Sequence, residues 1–132
     1  MMNEIKKISQ TKKFSIVKRA ESFTYAGRGT WIFIKSTHNA WIHLSILLCA
    51  VLLGLYFHIT QVEWLALVLT SGFVLVSEAF NTAIEIDIDL TSPEYHPYAR
   101  DTKDVAAGAV LISSITAIIV GLIIFLPYFF QI

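Results

Sequence analysis

Only one cysteine occurs in the 132 residues, Cys49, and it lies inside an apolar run, so the chain cannot close a disulfide on itself. A lone thiol in such a place is an ordinary small packing residue. Proline is scarce too: Pro93 and Pro97 share one polar stretch, where they block continuation of a preceding helix. The loops that bind nucleotides in soluble proteins are missing. There is no G-x-x-x-x-G-K-[ST], no G-x-G-x-x-G after a strand and no kinase catalytic loop, and "GRG" at 27–29 is too little to stand for one. No Cys/His spacing suits zinc, and His38, His43 and His58 are scattered. Lysine and arginine are absent between Lys35 and Arg100 and again after Lys103. No cleavable leader is expected, because the first apolar run begins only near Ala40, after a Lys-rich start.

What the chain has in quantity is apolar surface. Hydrophobic residues make up 55% of it and the mean hydropathy is +0.64. A soluble domain of this size cannot bury so much, which places the chain in the membrane class. The spans also argue against a nucleic-acid partner. Residues 1–13 read as a polar, basic tail. From 14 to 34, Phe14, Val17, Phe23 and Trp31 alternate with Lys18, Arg19, Glu21 and Arg28, the pattern of an amphipathic helix on a membrane surface. Three apolar segments follow, predicted as transmembrane helices at 40–59, 62–87 and 105–127. The link "HITQVE" is short enough to make the first two a hairpin. The fold expected is all-α and integral to the membrane, one domain with a surface helix and three spans.

The basic residues orient it. All ten lie in the N-terminal segment and in the polar stretch around 89–103, and none in the 59–62 link or at the C-terminal end. The first two regions therefore face the cytoplasm across the cytoplasmic (inner) membrane. Trp31, Trp41, Tyr56, Trp64, Tyr128 and Phe129 fit aromatic belts at the two interfaces.

Five of the ten acids crowd between Glu78 and Glu94, at the end of the second apolar segment. At about 100° per residue, Glu78, Asn81, Glu85 and Asp89 project from one helix face, while Asp87 points away. The result is a polar stripe descending from the cytosol, with Glu78 deepest. Carboxylates and an amide so arranged suit a hard cation such as Mg²⁺, and a deep carboxylate can take a proton from an alcohol. A stripe that only packs helices is the competing reading, more tenable for Asn81 alone than for the cluster. Next comes "RDTKDVAAGAVL". Lys103 can be a phosphate counter-charge or a snorkelling anchor, and Asp104 a helix N-cap, at the cytoplasmic start of the third span. The small residues Ala106 to Ala109 permit close helix approach, bringing the two polar regions within reach. His96 suits a solvated loop as readily as a ligand site.

"EAFNTAIE" followed by "SPEYHPYARDTKDVAAGAVL" closely resembles the prokaryotic diacylglycerol kinase family, which includes undecaprenol kinases. The resemblance runs from about Tyr25 to the end of the third span. It implies a homotrimer with active sites between subunits near the cytoplasmic interface, and transfer of the γ-phosphate of ATP, with Mg²⁺, to a lipid hydroxyl. By motif, Glu78 corresponds to the general base and Asn81 to the neighbouring active-site amide. Glu85 corresponds to the glutamate that holds Mg²⁺ with ATP. Glu94 to His96 correspond to a nucleotide-contacting loop, Lys103 and Asp104 to the Lys-Asp pair at the nucleotide, and Tyr25 to a surface-helix tyrosine near ATP. Thr37 departs from the pattern, standing where relatives carry a metal-holding glutamate, and Trp41 stands where a basic residue is common. Thr37 leaves room for a weakened kinase or a relative that only binds lipid or nucleotide. A non-enzymatic membrane assembly protein is the further alternative.

Overall fold

The computed structural model describes residues 15–130, and every regular element in that range is helical. The helices are α1 (Ile16–Ser36), α2 (His38–Phe57), α3 (Gln61–Thr91) and α4 (Pro97–Phe130). The expected tail, 1–13, lies outside the described residues, as does Phe14. Three helices, α2, α3 and α4, are long and apolar enough to cross a membrane, as expected. The chain divides into two units after Trp31. In the first, α1 exposes Phe23, Tyr25 and Trp31 alongside Glu21 and Arg28, the mixed surface of an interfacial helix.

In the second unit, α2 and α3 form the hairpin, and its turn is fixed at both ends. His58 adopts the left-handed conformation, φ 52° and ψ 47°. Its amide donates to the Leu55 carbonyl at 3.4 Å and that of Ile59 to the Gly54 carbonyl at 3.1 Å, the paired bonds that close a helix C-terminus. Two residues on, α3 opens with a capping box. The Glu63 amide donates to Thr60 Oγ1, and the Thr60 amide donates back to Glu63 Oε2 at 2.7 Å. Gly54 lets the hairpin close: a Cβ there would lie 2.8 Å from the Trp64 ring.

α3 packs chiefly on α4, and α2 makes a smaller contact with both. The buried core sits at the link end, where Ile59, Leu67, Ile124 and Phe125 meet, flanked by Leu53, Phe57, Trp64 and Val120. Tyr128 hydroxyl donates to Glu63 Oε2 at 2.8 Å, tying the end of α4 to the start of α3. The Tyr128 ring stacks on Phe57 with centroids 5.5 Å apart. Two of the expected belt residues, Trp64 and Tyr128, are thus packing residues, whereas Trp31, Trp41, Tyr56 and Phe129 are exposed. The many exposed Leu, Ile and Phe side chains of α2–α4 are what a bilayer would cover.

The start of α4 corrects the expectation from sequence. Pro97 does not hold the helix off until 105; it is the first helical residue, where its fixed φ and missing N–H cost nothing. Asp104 is therefore no N-cap, and Lys103 lies nearly two turns inside the helix. Of the small residues 106–109, Ala106 is buried and Gly108 half-buried, while Ala107 and Ala109 face outward. With 31 residues, α3 is about 46 Å long, and α4, with 34, about 51 Å. Both exceed the ~30 Å apolar thickness of a bilayer. Counted from the link end, the ~20 residues that cross it run to about Phe80 on α3 and back to about Leu111 on α4. Glu78 falls inside that limit; Glu85, Asp89 and Lys103 fall beyond it.

Candidate active site

The predicted stripe exists on α3, and its burial is graded. Glu78 is 1% exposed and Asn81 6%, Glu85 is half-buried, and Asp89 is exposed. Asp87 faces outward, as its angular position requires. Asn81 Nδ2 donates to Glu85 Oε1 at 3.1 Å, one turn on, which fixes the amide. Thr82, also buried, donates its hydroxyl to the Glu78 backbone carbonyl at 2.9 Å and leaves the carboxylate alone. Among the described residues, three buried side-chain oxygens lack a hydrogen-bond partner: both carboxylate oxygens of Glu78 and Oδ1 of Asn81. Buried acceptors are ordinarily satisfied, and an unmade bond costs on the order of 1–3 kcal/mol. Their concentration at two neighbouring side chains leaves a place that can accept a hydrogen-bond donor or a cation.

A second feature lies between the C-terminal end of α3 and the first turns of α4. Asp89, Ser92, Glu94, His96, Arg100 and Lys103 are among the residues lining a hollow of about 240 Å³. Lys103 Nζ forms an ion pair with Asp89 Oδ1, a cross-helix tie fourteen residues apart in sequence. Arg100 pairs with Asp101 at 3.2 Å and approaches Asp104 at 3.9 Å. His96 and Tyr98 place their rings 5.7 Å apart.

The structure thus brings the expected residues together in two groups. Glu78, Asn81 and Glu85 share the α3 face; Glu94, His96 and Lys103 share the hollow, and Asp89 ends the first group and opens the second. Asp104 is exposed beside Arg100 and does not line the hollow. Tyr25 is exposed on α1, in the other unit. Sequence reasoning missed Arg100. Its signal is its position three residues before Lys103, which places the two on one side of a helix only once α4 begins at Pro97. Thr37, the residue between α1 and α2, is half-buried and donates its hydroxyl to the Phe33 carbonyl at 2.9 Å. Among the described residues no three His, Cys, Asp or Glu side chains converge as a ready metal cage. Mg²⁺ does not need one, since it binds through one or two carboxylates with phosphate oxygens and waters.

Fold and site define a multi-pass helical membrane protein with an unpaired buried acid on α3 and, roughly 15 Å further along that helix, a charged hollow at the helix ends. The chain belongs to the prokaryotic diacylglycerol kinase family, which its residues 24–125 match. It is 36% identical over 107 residues to the undecaprenol kinase of Bacillus subtilis, covering 81% of this chain and 87% of that protein. To the diacylglycerol kinase of Synechocystis it is 37% identical over 107 residues, covering 80% of this chain and 61% of the relative. To that of Escherichia coli K12 it is 26% identical over 122 residues, covering 92% and 98%.

Proposed function

We propose that this chain is a lipid kinase that moves the γ-phosphate of ATP to the hydroxyl of a membrane lipid alcohol, a diacylglycerol or undecaprenol. The observation that carries this reading is Glu78, buried with both oxygens unpaired beside the unpaired Oδ1 of Asn81. A lipid hydroxyl brought to Glu78 donates the hydrogen bond that the carboxylate lacks, and Glu78 takes its proton as the oxygen attacks phosphorus. The new bond joins the lipid oxygen to the γ-phosphorus, the bond from that phosphorus to the β,γ-bridging oxygen breaks, and ADP leaves. Asn81 offers an acceptor next to Glu78 while its amide nitrogen steadies Glu85. Lys103 and Arg100 supply positive charge for the phosphates in the hollow, which His96 also lines. Phosphoryl transfer rests on such positioning and charge neutralisation.

The donor set, carboxylate and amide oxygens near the interface, fits Mg²⁺. Glu85 would hold it with ATP, and the ion would neutralise charge on the phosphoryl oxygens. On this reading the chemistry takes place near the interface, where a lipid headgroup and a soluble nucleotide can both reach. The distribution of basic residues supports putting that end on the cytoplasmic side of the inner membrane. A homotrimer, as the family resemblance implies, would cover helix faces that the single chain leaves bare.

The test is transfer from labelled ATP by the purified protein in detergent–lipid micelles, with diacylglycerol and undecaprenol offered separately across a Mg²⁺ titration. Glu78→Gln is expected to lower the rate by roughly 10²–10⁴-fold, the usual weight of a general base. Transfer to neither lipid by folded protein would defeat the reading.

A further inference from the structure

We propose that Asp89 is a stand-in for phosphate: it neutralises Lys103, and the phosphates of ATP displace it. The inference rests on reading the Lys103 hollow as the nucleotide site.

The geometry calls for such a group. Lys103 and Arg100, three residues apart on α4, both line the hollow between the helices. Two cations side the same small space and repel, unless each has a counter-charge. Arg100 finds Asp101 and Asp104 on its own helix. Lys103 finds Asp89 across the gap, on the last turn of α3. The Lys103 side chain is 36% exposed and that of Asp89 68%, so the ion pair stands at the open side of the hollow.

An ammonium group is a point charge that changes acceptors without any demand on fork geometry. A phosphate oxygen is an acceptor of the same kind as a carboxylate oxygen, and a triphosphate carries several times the charge. A partly exposed pair is weak enough to break. ATP therefore exchanges with Asp89 at Lys103, and when ADP departs, Asp89 closes on the lysine again. Asp89 touches no reacting atom in this scheme. It is a positioning residue that acts through Lys103, setting how tightly nucleotide is held and how readily product leaves.

The experiment is equilibrium binding of labelled ATP to the full-length protein in detergent micelles, with Mg²⁺ and with chelator, in wild type, Asp89→Asn, Asp89→Glu, Lys103→Met and the Asp89→Asn/Lys103→Met double variant. Asp89→Asn is expected to bind ATP roughly two- to five-fold more tightly under both conditions, the weight of a partly exposed ion pair. Asp89→Glu is expected to stay near wild type, and the gain is expected to vanish when Lys103 is already Met. In turnover, the KM for ATP falls while kcat changes less. Unchanged or weaker binding by Asp89→Asn overturns the proposal, and a loss confined to MgATP overturns it by making Asp89 a metal ligand. If Lys103→Met leaves ATP binding intact, the nucleotide-site reading fails and the inference falls with it. If Lys103→Met weakens binding but Asp89→Asn gives no gain, the inference alone fails. Thermal unfolding checks each variant, and Asp89→Ser replaces Asp89→Asn if that variant does not fold.

Discussion

Glu78→Met is expected to kill the reaction and strengthen the fold. Methionine keeps the length and the unbranched shape of glutamate but carries no oxygen. Glu78 is 1% exposed, and neither carboxylate oxygen has a hydrogen-bond partner. Each buried polar group left unpaired costs on the order of 1–3 kcal/mol. Exchanging buried charged groups for well-packed apolar ones of similar volume stabilises by up to about 4 kcal/mol. A gain of about 1–3 kcal/mol is expected, visible as a rise of several degrees in the midpoint of thermal unfolding in detergent. Glu78→Gln separates the two effects. Its amide is as poorly satisfied as the carboxylate, so it loses activity with little gain in stability. A Glu78→Met protein that is less stable than wild type by more than about 1 kcal/mol would refute the reasoning, because it would mean that the carboxylate has partners and holds the helices together. A Glu78→Met protein that still phosphorylated lipid would remove Glu78 from the chemistry altogether.

Three further outcomes are expected elsewhere. Gly54→Ala puts a Cβ 2.8 Å from the Trp64 ring and 3.0 Å from Ile59 Cδ1. It is expected to destabilise the hairpin by about 1–3 kcal/mol in a detergent unfolding titration, and an unchanged midpoint would contradict the close approach. His58→Gly relieves a left-handed residue at φ 52°, and a gain of about 1 kcal/mol is expected in the same titration; a loss would show that the imidazole has a role of its own. Thr37→Glu restores an anionic ligand at the break between α1 and α2, where a neutral hydroxyl now turns back to the Phe33 carbonyl. It is expected to lower the Mg²⁺ concentration giving half-maximal transfer, and an unaltered Mg²⁺ dependence would sink the idea that Thr37 weakens metal binding.

The stripe on α3 is legible in the amino-acid sequence because polar side chains in an apolar segment are costly, so their spacing carries information. Glu78, Asn81, Glu85 and Asp89 fall on one face by arithmetic alone, and Asp87 falls off it. The hairpin is legible from the shortness of its link. The onset of α4 is not, because proline stops one helix and starts the next with the same chemistry, and nothing local says which. That single ambiguity places Lys103 and Asp104 at a helix start and hides Arg100 beside Lys103. The capping box at Thr60 and Glu63 carries a local signal, T-x-x-E ahead of an apolar run, that sequence reasoning missed. The bond from Tyr128 to Glu63 joins residues 65 apart and has no local signal.

The two ends of the helical unit are built on opposite terms. At the link end, Glu63 Oε2 accepts from the Thr60 amide, the Thr60 hydroxyl and the Tyr128 hydroxyl. Phe57 stacks on Tyr128 and meets Phe129 edge-on at 5.0 Å, above the buried core. Toward the other end, polar atoms are buried without partners and charges pair at the margin of a hollow. A carboxylate kept unsatisfied persists only if the surrounding structure is over-determined, and here the surplus lies along the same two helices, α3 and α4, about 22 Å away by the rise from Glu63 to Glu78. The extra length of those helices makes the division possible: one stretch crosses and locks, the rest extends beyond the apolar layer and carries charge. Substitutions around Gly54, Glu63 and Tyr128 are therefore expected to act on stability and to leave activity intact in whatever protein still folds, while those at Glu78, Asn81 and Lys103 are expected to act on the proposed chemistry at little cost to the fold.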